Sequence, residues 1–210
     1  SMIMGTAGFT ALQCSFATKT TREELLLGEK VQDVVVSGAS GGVGSMTVMI
    51  LNKLGCNVTA VTGKDSNKDY LVSIGAKDVV NTSELMKDAR PLDKGLWDGA
   101  VDTVGGKVLE NILSQTKDAG IVAACGNAAD IKLNTTVMPF IIRGVKLWGI
   151  NSVNASIRRR QFLWNEAGKL LDFETLGKSV KEINLEEVID IYPKMLKGET
   201  SGRYIINLDK

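Results

Sequence analysis

The 210-residue sequence contains no histidine. That excludes a Ser-His-Asp triad, a Cys-His pair, an imidazole general base and any histidine metal ligand within these residues. It has three cysteines, Cys14, Cys56 and Cys125. They are too scattered for a Cys-x-x-Cys metal knuckle, and an odd number makes a poor disulfide framework. No metal site is expected, and a reduced, cytoplasmic setting is. An excess of charge is lacking as well: 25 Lys and Arg stand against 24 Asp and Glu, a net charge of +1. Nothing basic is in surplus to gather on one face for nucleic acid or an anionic membrane surface. No stretch reaches the roughly 20 continuous apolar residues of a membrane span. The N-terminus lacks the charged segment and apolar run of a secretion signal. There is no internal repeat and no low-complexity segment.

What is present is ordinary for a globular chain, with 44% hydrophobic, 23% charged and 5% aromatic residues. The length suits one sizeable domain, or one domain with an appendage. Glycine is plentiful at 22 residues, mostly at the ends of short apolar, β-branched runs, where turns after buried strands need it. These runs are Val34–Val36, Val58–Val61, Val79–Val80, Ala100–Val104, Ile121–Ala124 and Val145–Ile150. Helical spacing separates several of them: Met46, Met49, Ile50 and Leu54 before Gly55; Tyr70, Leu71 and Ile74 before Gly75; Val108, Leu109, Ile112 and Leu113. Six strands alternating with helices predict a doubly wound α/β fold, a mainly parallel sheet covered on both faces.

After Asn151 the pattern changes. A helix is predicted from about Ser156 to Leu171, then a strand over Val180–Ile183. Asn184 and Glu187 form an Asn variant of the capping box ahead of a helix with Leu185, Val188, Ile189, Tyr192, Met195 and Leu196 on one stripe. Gly198 closes it, and Tyr204–Leu208 reads as a last strand.

The first strand runs directly into Ser37-Gly38-Ala39-Ser40-Gly41-Gly42-Val43-Gly44-Ser45 and then a helix. Strand, glycine turn and helix together are the dinucleotide fingerprint. It needs a tight turn, here placed at Ala39 where the usual first Gly is replaced. It also needs close backbone approach at Gly41 to a pyrophosphate on the helix N-terminus, and Gly44 to let the helix press on the strand. A purely structural turn is the alternative. A Walker loop is disfavoured because no Gly-Lys-Ser/Thr follows.

The end of the second strand selects the cofactor. A carboxylate about 20 residues past the glycine turn would bind a free ribose 2′-hydroxyl. Thr62-Gly63-Lys64 stands there instead, with Ser66, Lys68 and Tyr70 nearby, as a 2′-phosphate pocket requires. NADP(H) is favoured over NAD(H); the bland alternative makes Lys64 and Lys68 solvated loop charges, and Asp65 weakens the local field. The lack of a carboxylate also disfavours a methyltransferase built on a similar sheet. Thr103, after the fourth strand, and Cys125 and Gly126, after the fifth, lie at strand ends expected to flank the nicotinamide half. Cys125 reads better as packing than as a nucleophile, since nothing basic stands beside it in the sequence. Asp102 reads as a structural acceptor, and Trp148 and Trp164 as core or interface residues.

Gly5–Ala11, the Gly-Ala-Ser-Gly-Gly-Val-Gly turn, Ala60–Lys64, Tyr70-Leu71, Gly75-Ala76, Asp102–Gly105 and Thr136–Ile141 resemble the medium-chain dehydrogenase/reductases. Within them the match is to the zinc-independent quinone-oxidoreductase branch that includes acryloyl-CoA reductases. The resemblance implies an NADP(H)-dependent reductase that passes hydride to an α,β-unsaturated acyl-CoA or a quinone. It implies that residues 1–150 form the NADPH-binding Rossmann domain and residues 151–210 a C-terminal extension. The last helix and strand of that extension would return to an N-terminal catalytic lobe absent from these residues. Ser1-Met2 looks like a leftover residue before a start methionine, so the chain is expected to lie inside a longer one, to bind cofactor and to turn over little. By resemblance Ser40, Gly41, Gly42, Val43 and Gly44 line the pyrophosphate, Thr62 and Lys64 the 2′-phosphate, and Thr103, Cys125, Gly126, Ile150 and Asn151 the nicotinamide half. Arg203, from a Gly-Arg pair near the C-terminus, reaches cofactor or substrate phosphates; catalytic residues are not assignable. The strand Val145–Ile150, apolar on both alternations and last in the sheet, is expected to pair with its twin in a homodimer. A non-catalytic NADPH-binding or sensing module is the alternative function.

Overall fold

The computed structural model describes residues 2–25 and 32–208. Helix α1 (Gly5–Leu25) leads into β1 (Asp33–Val36), α2 (Gly42–Lys53), β2 (Asn57–Thr62), α3 (Lys68–Ser73) and β3 (Asp78–Asn81). A second series follows: β4 (Trp97–Asp102), α4 (Gly106–Ser114), β5 (Thr116–Ala124), α5 (Met138–Arg143) and β6 (Lys146–Gly149). These six strands form one parallel sheet in the order β3-β2-β1-β4-β5-β6. The two series therefore run outward in opposite directions from the β1–β4 neighbours, which is the doubly wound arrangement.

Alternation along the strands divides the core into two layers. Val34, Val36, Val58, Ala60, Val101 and Ala123 share one buried cluster with residues of α1 and α2. Val35, Val61, Ala100 and Val122 turn to the opposite face and pack on Val108, Leu109, Ile112 and Leu113 of α4. Both faces being dry, each strand reads as a continuous apolar run rather than a polar-apolar alternation.

The tail consists of α6 (Ile157–Leu170), α7 (Phe173–Gly177), β7 (Val180–Ile183), α8 (Val188–Leu196) and β8 (Arg203–Ile206). Ser156 caps α6 by accepting the Arg159 amide at 3.3 Å, and Leu163 and Ala167 carry that helix into the main core. β7 and β8 pair in parallel as a separate two-stranded sheet. The capping box ahead of α8 forms in both directions: Glu187 N–H donates to Asn184 Oδ1 at 2.9 Å, and Asn184 N–H to Glu187 Oε2 at 2.8 Å.

Several boundaries differ from the sequence reading. β4 stops at Asp102 instead of Val104, because the Asp102 carboxylate takes the amides of Val104 and Gly105 that a continuing strand would have used. β5 begins at Thr116, earlier than its apolar run, with Ala119 at φ 54° marking an irregularity in its pairing with β4. The last strand is Arg203–Ile206, one residue earlier than expected at its start.

The turn between β1 and α2 also corrects an expectation. The left-handed residue is Gly38, at φ 58°, and Ala39 is a buried residue whose amide bonds the Val61 carbonyl at 3.0 Å. Gly44 lets α2 press on the turn rather than on the strand itself: a methyl group there would stand 2.2 Å from the Gly38 carbonyl oxygen and 2.6 Å from Ala39 Cα. Both are backbone atoms, so nothing can swing aside, and the helix must move off the turn. Gly44→Ala is expected to lower stability by about 1–3 kcal/mol, measured by urea unfolding; a variant as stable as the parent contradicts this packing.

Candidate cofactor site

The site is built on the carboxyl ends of β1, β2, β4 and β5, at the crevice where the strand order reverses. α2 starts there with its N-terminal amides uncapped: Gly41 is the cap residue, extended at φ −79° and ψ 177°, with no side chain to accept a bond. Uncapped amides at the positive end of a helix form an anion cradle. Arg203 lies over it. Its Nε donates to the Ile3 carbonyl at 3.2 Å, and a methyl group on Gly42 would come within 3.2 Å of its Nη1. The β8 end is held to the loop by the Gly202 amide, bonded to the Ser40 carbonyl at 2.8 Å. Loop, Arg203 and the inner side of α8 enclose a groove of about 570 Å³, whose far wall includes Val188, Ile191, Tyr192 and Met195.

Thr62 ends β2 buried, its Oγ1 3.3 Å from Ser40 Oγ and accepting the Lys64 amide at 3.3 Å. This places Ser40, Thr62 and Lys64 together beside the glycine turn. The Lys64 ammonium donates to the carbonyl of Gly198, the residue that closes α8. Of the neighbours grouped with it by sequence, Ser66 and Lys68 are exposed, Asp65 accepts the Asn81 amide group at 2.9 Å, and Tyr70 turns inward beside Ser45, where burial pushes its pKa up.

The other end is organised by Asp102. One carboxylate oxygen accepts the Ser37 hydroxyl at 2.6 Å and the Val104 amide at 3.3 Å; the other accepts the Gly105 amide at 2.9 Å. Thr103 is bound to the same residue, the first past the end of β1, its amide donating to Ser37 Oγ and its hydroxyl to the Ser37 carbonyl, each at 3.0 Å. Thr103 therefore lines the groove with its hydroxyl already engaged. Gly126 lies so close to the Thr103 backbone that a methyl group there would be 2.4 Å from its carbonyl oxygen. Cys125, Gly126, Ile150 and Asn151 border one open cavity of about 610 Å³. Gly41 and Gly42 line the groove, whereas Val43 packs partly into the core.

Some site features were not found from sequence. Cys125 packs against the core cluster that holds Cys14 of α1, which no sequence separation could reveal. Gly198 and Gly202, at φ 65° and 69°, set the turn that delivers Arg203. The Gly-x-x-x-Gly-Arg spelling was a readable signal for that turn.

Fold and glycine turn together define a Rossmann-like α/β domain. Residues 42–168 match the family model described as zinc-binding dehydrogenase. The chain belongs to that family, in the medium-chain dehydrogenase/reductases, on the branch holding AcuI, YhdH and YhfP. It is 38% identical over 210 residues to acrylyl-CoA reductase AcuI of Ruegeria pomeroyi, covering 62% of that protein. Escherichia coli YhdH, solved with bound NADPH, superposes with a TM-score of 0.89 at 41% identity over 98% of this chain. Bacillus subtilis YhfP, solved with NAD, gives 0.88 at 36% identity over 99%. The chain spans 62% of the length of each of these relatives. Among the described residues no three His, Cys, Asp or Glu side chains gather where a metal ion could be held.

Burial pushes the Asp102 carboxyl above its ordinary value, against the opposing pull of Ser37, Gly105 and Val104. Between the unfolded and folded pKa values the folded form thus holds a proton that the unfolded chain has released. Stability from this group is full below the unfolded pKa, about 3.9, and is lost as pH rises through the folded pKa. Asp102→Asn should remove that downward slope, so the stability difference between parent and variant should change with pH from about 4 upward. Urea unfolding at stepped pH checks it; a difference that is flat in pH contradicts the assignment.

Proposed function

We propose that this chain is the NADP(H)-binding part of a zinc-independent reductase that passes hydride to an activated carbon-carbon double bond, as in an α,β-unsaturated acyl-CoA, or to a quinone. The carrying observation is the cradle itself: uncapped α2 amides under Arg203, with Thr62-Gly63-Lys64 where a ribose-binding carboxylate would stand. Bound there, the cofactor would supply the hydride. Ser40, Gly41, Gly42, Val43, Gly44 and Arg203 would hold its pyrophosphate, and Thr62 and Lys64 its 2′-phosphate. Thr103, Cys125, Gly126, Ile150 and Asn151 would shape the wall against which its reactive end and the acceptor are positioned. Residues 1–150 would be the nucleotide domain and 151–210 an extension shared with the rest of a longer protein. A cytoplasmic setting belongs to the same proposal, supported by the odd, scattered set of three cysteines.

The fit has a chemical basis in this chain's own groups. A 2′-phosphate brings a charge that Lys64 would meet after exchanging its bond to the Gly198 carbonyl, and charge-assisted bonds are worth about 1.5–3 kcal/mol. NADPH should therefore bind at least about tenfold more tightly than NADH, and Lys64→Ala should remove most of the difference while leaving NADH affinity unchanged. Calorimetric titration decides it, and equal affinities in the parent sink the cofactor preference. NADPH oxidation by the full-length protein with acryloyl-CoA and with a small quinone then separates the two acceptors. Tight binding with neither acceptor reduced favours a sensing module.

The homodimer is proposed from the sheet edge. Among the described residues β6 pairs only with β5, and its Leu147 and Trp148 are 36% and 43% exposed. Nearby, α5 leaves Ile141 and Ile142 uncovered. An open apolar edge is a template for another strand, and a twin β6 across a two-fold axis would extend the sheet. Trp148→Glu is expected to convert a dimer to a monomer in sedimentation velocity; a parent that is monomeric well above micromolar concentration contradicts the dimer.

A further inference from the structure

One charge after β2 works against an NADP(H) preference. Asp65 is the first carboxylate beyond the glycine turn, and it follows Lys64 directly, just past the strand end where a ribose-binding acid would stand. A carboxylate here competes with a 2′-phosphate for the lysine and repels the phosphate itself. The preference therefore depends on where the Asp65 side chain is held.

The chain turns at the end of β2. Lys64 is extended at φ −129° and ψ 113°, and a 3₁₀ turn over Asp65–Asn67 is closed by the Asn67 amide, which donates to the Lys64 carbonyl at 3.1 Å. β3 runs alongside, with Asn81 in register with Thr62. A methyl group on Gly63 would stand 3.9 Å from Thr82 Oγ1, so the end of β3 flanks the turn. Asn81 joins the two. Its Oδ1 accepts the Ser83 amide at 3.0 Å and caps a second 3₁₀ turn over Thr82–Leu85. That bond fixes the oxygen end of the side-chain amide and leaves Nδ2 to donate to Asp65 Oδ1 at 2.9 Å. Lys64 directs its ammonium to the Gly198 carbonyl and not to the adjacent acid. Two neighbouring residues of opposite charge are thus drawn to separate partners, Asp65 to β3 and Lys64 to the tail.

We propose that Asn81 is a positioning residue for cofactor choice: it ties the Asp65 carboxylate to β3, which keeps the acid off Lys64 and leaves the Thr62–Lys64 corner to a 2′-phosphate. The proposal rests on the NADP(H) reading above. Asn81 acts through the acid it holds. NADH has no 2′-phosphate and needs no such lysine, so the tie bears on NADPH alone. Repulsion or competition from one exposed carboxylate at this range amounts to about threefold to tenfold in affinity.

Dissociation constants for NADPH and NADH are measured by calorimetry on the protein and on Asn81→Ala, Asp65→Asn and the double variant. Asn81→Ala should weaken NADPH binding about threefold to tenfold and leave NADH binding unchanged. Asp65→Asn removes the charge and should bind NADPH at least as tightly as the parent. Adding Asn81→Ala to it should then have no further effect, because nothing charged is left to restrain. Asn81→Ser keeps a hydroxyl that can cap the Ser83 amide but is too short to reach Asp65, so it should repeat the Asn81→Ala result with the 3₁₀ turn intact. An Asn81→Ala effect that persists in the Asp65→Asn background, or that weakens both cofactors alike, is the loss of a turn and overturns the positioning role. So does an unchanged NADPH constant in a parent that prefers NADPH. A parent that binds the two cofactors equally overturns the cofactor reading instead. Circular dichroism of each variant establishes that it is folded.

Discussion

Much of the site depends on one buried carboxylate. Asp102 stands at the end of β4, next to β1, at the point where the two halves of the sheet diverge. Its side chain holds the Ser37 hydroxyl and the amides of Val104 and Gly105, and its carbonyl holds the Cys125 amide. Three strand ends, from β1, β4 and β5, are thereby fixed relative to one another. Desolvating such a group is costly. The cost is offset by three donors converging on it, and the carboxyl still sits above its ordinary pKa because burial outweighs them. Removing it would leave those donors without their acceptor, each a penalty of about 1–3 kcal/mol, and would free the lips of the crevice.

Steric contact does on the other side of the crevice what hydrogen bonding does at Asp102. Gly44 lets α2 lie directly on the Gly38-Ala39 turn, and Gly126 lets the β5 end lie on Thr103; in both cases a methyl group would meet backbone within 2.4 Å. These contacts aim the uncapped amides of α2 into the groove. The tail then closes the groove from outside through Gly202 on Ser40, Lys64 on Gly198 and Arg203 over Gly42. α8 contributes no fully buried residue, with Ile189 and Leu196 78% and 72% exposed. It is attached to the main sheet mainly through backbone and charge contacts around the glycine loop, so anything bound at that loop would touch the tail as well.

Sheet, strand count, parallel pairing and the glycine cradle were legible from the sequence alone. The physical reason is that each is encoded locally: short β-branched runs that are apolar throughout imply strands buried on both faces, and the spacing between them allows only helical crossovers. The order Gly-x-x-Gly after a strand likewise carries its own steric requirement, although it did not say that Gly38 rather than Ala39 takes the left-handed conformation. Thr62-Gly63-Lys64 was readable because the absence of a carboxylate is itself a local fact. What only the tertiary structure decided are the meetings of distant residues: Cys125 with the core cluster that holds Cys14, Ser37 with Asp102, Lys64 with Gly198, and Arg203 with Gly42 and Ile3. Each pair is joined by the docking of one whole element on another, α1 on the sheet, β1 beside β4, the tail on the glycine loop. Such docking is set by the summed packing of many side chains, and no spacing within a single segment of the sequence records it.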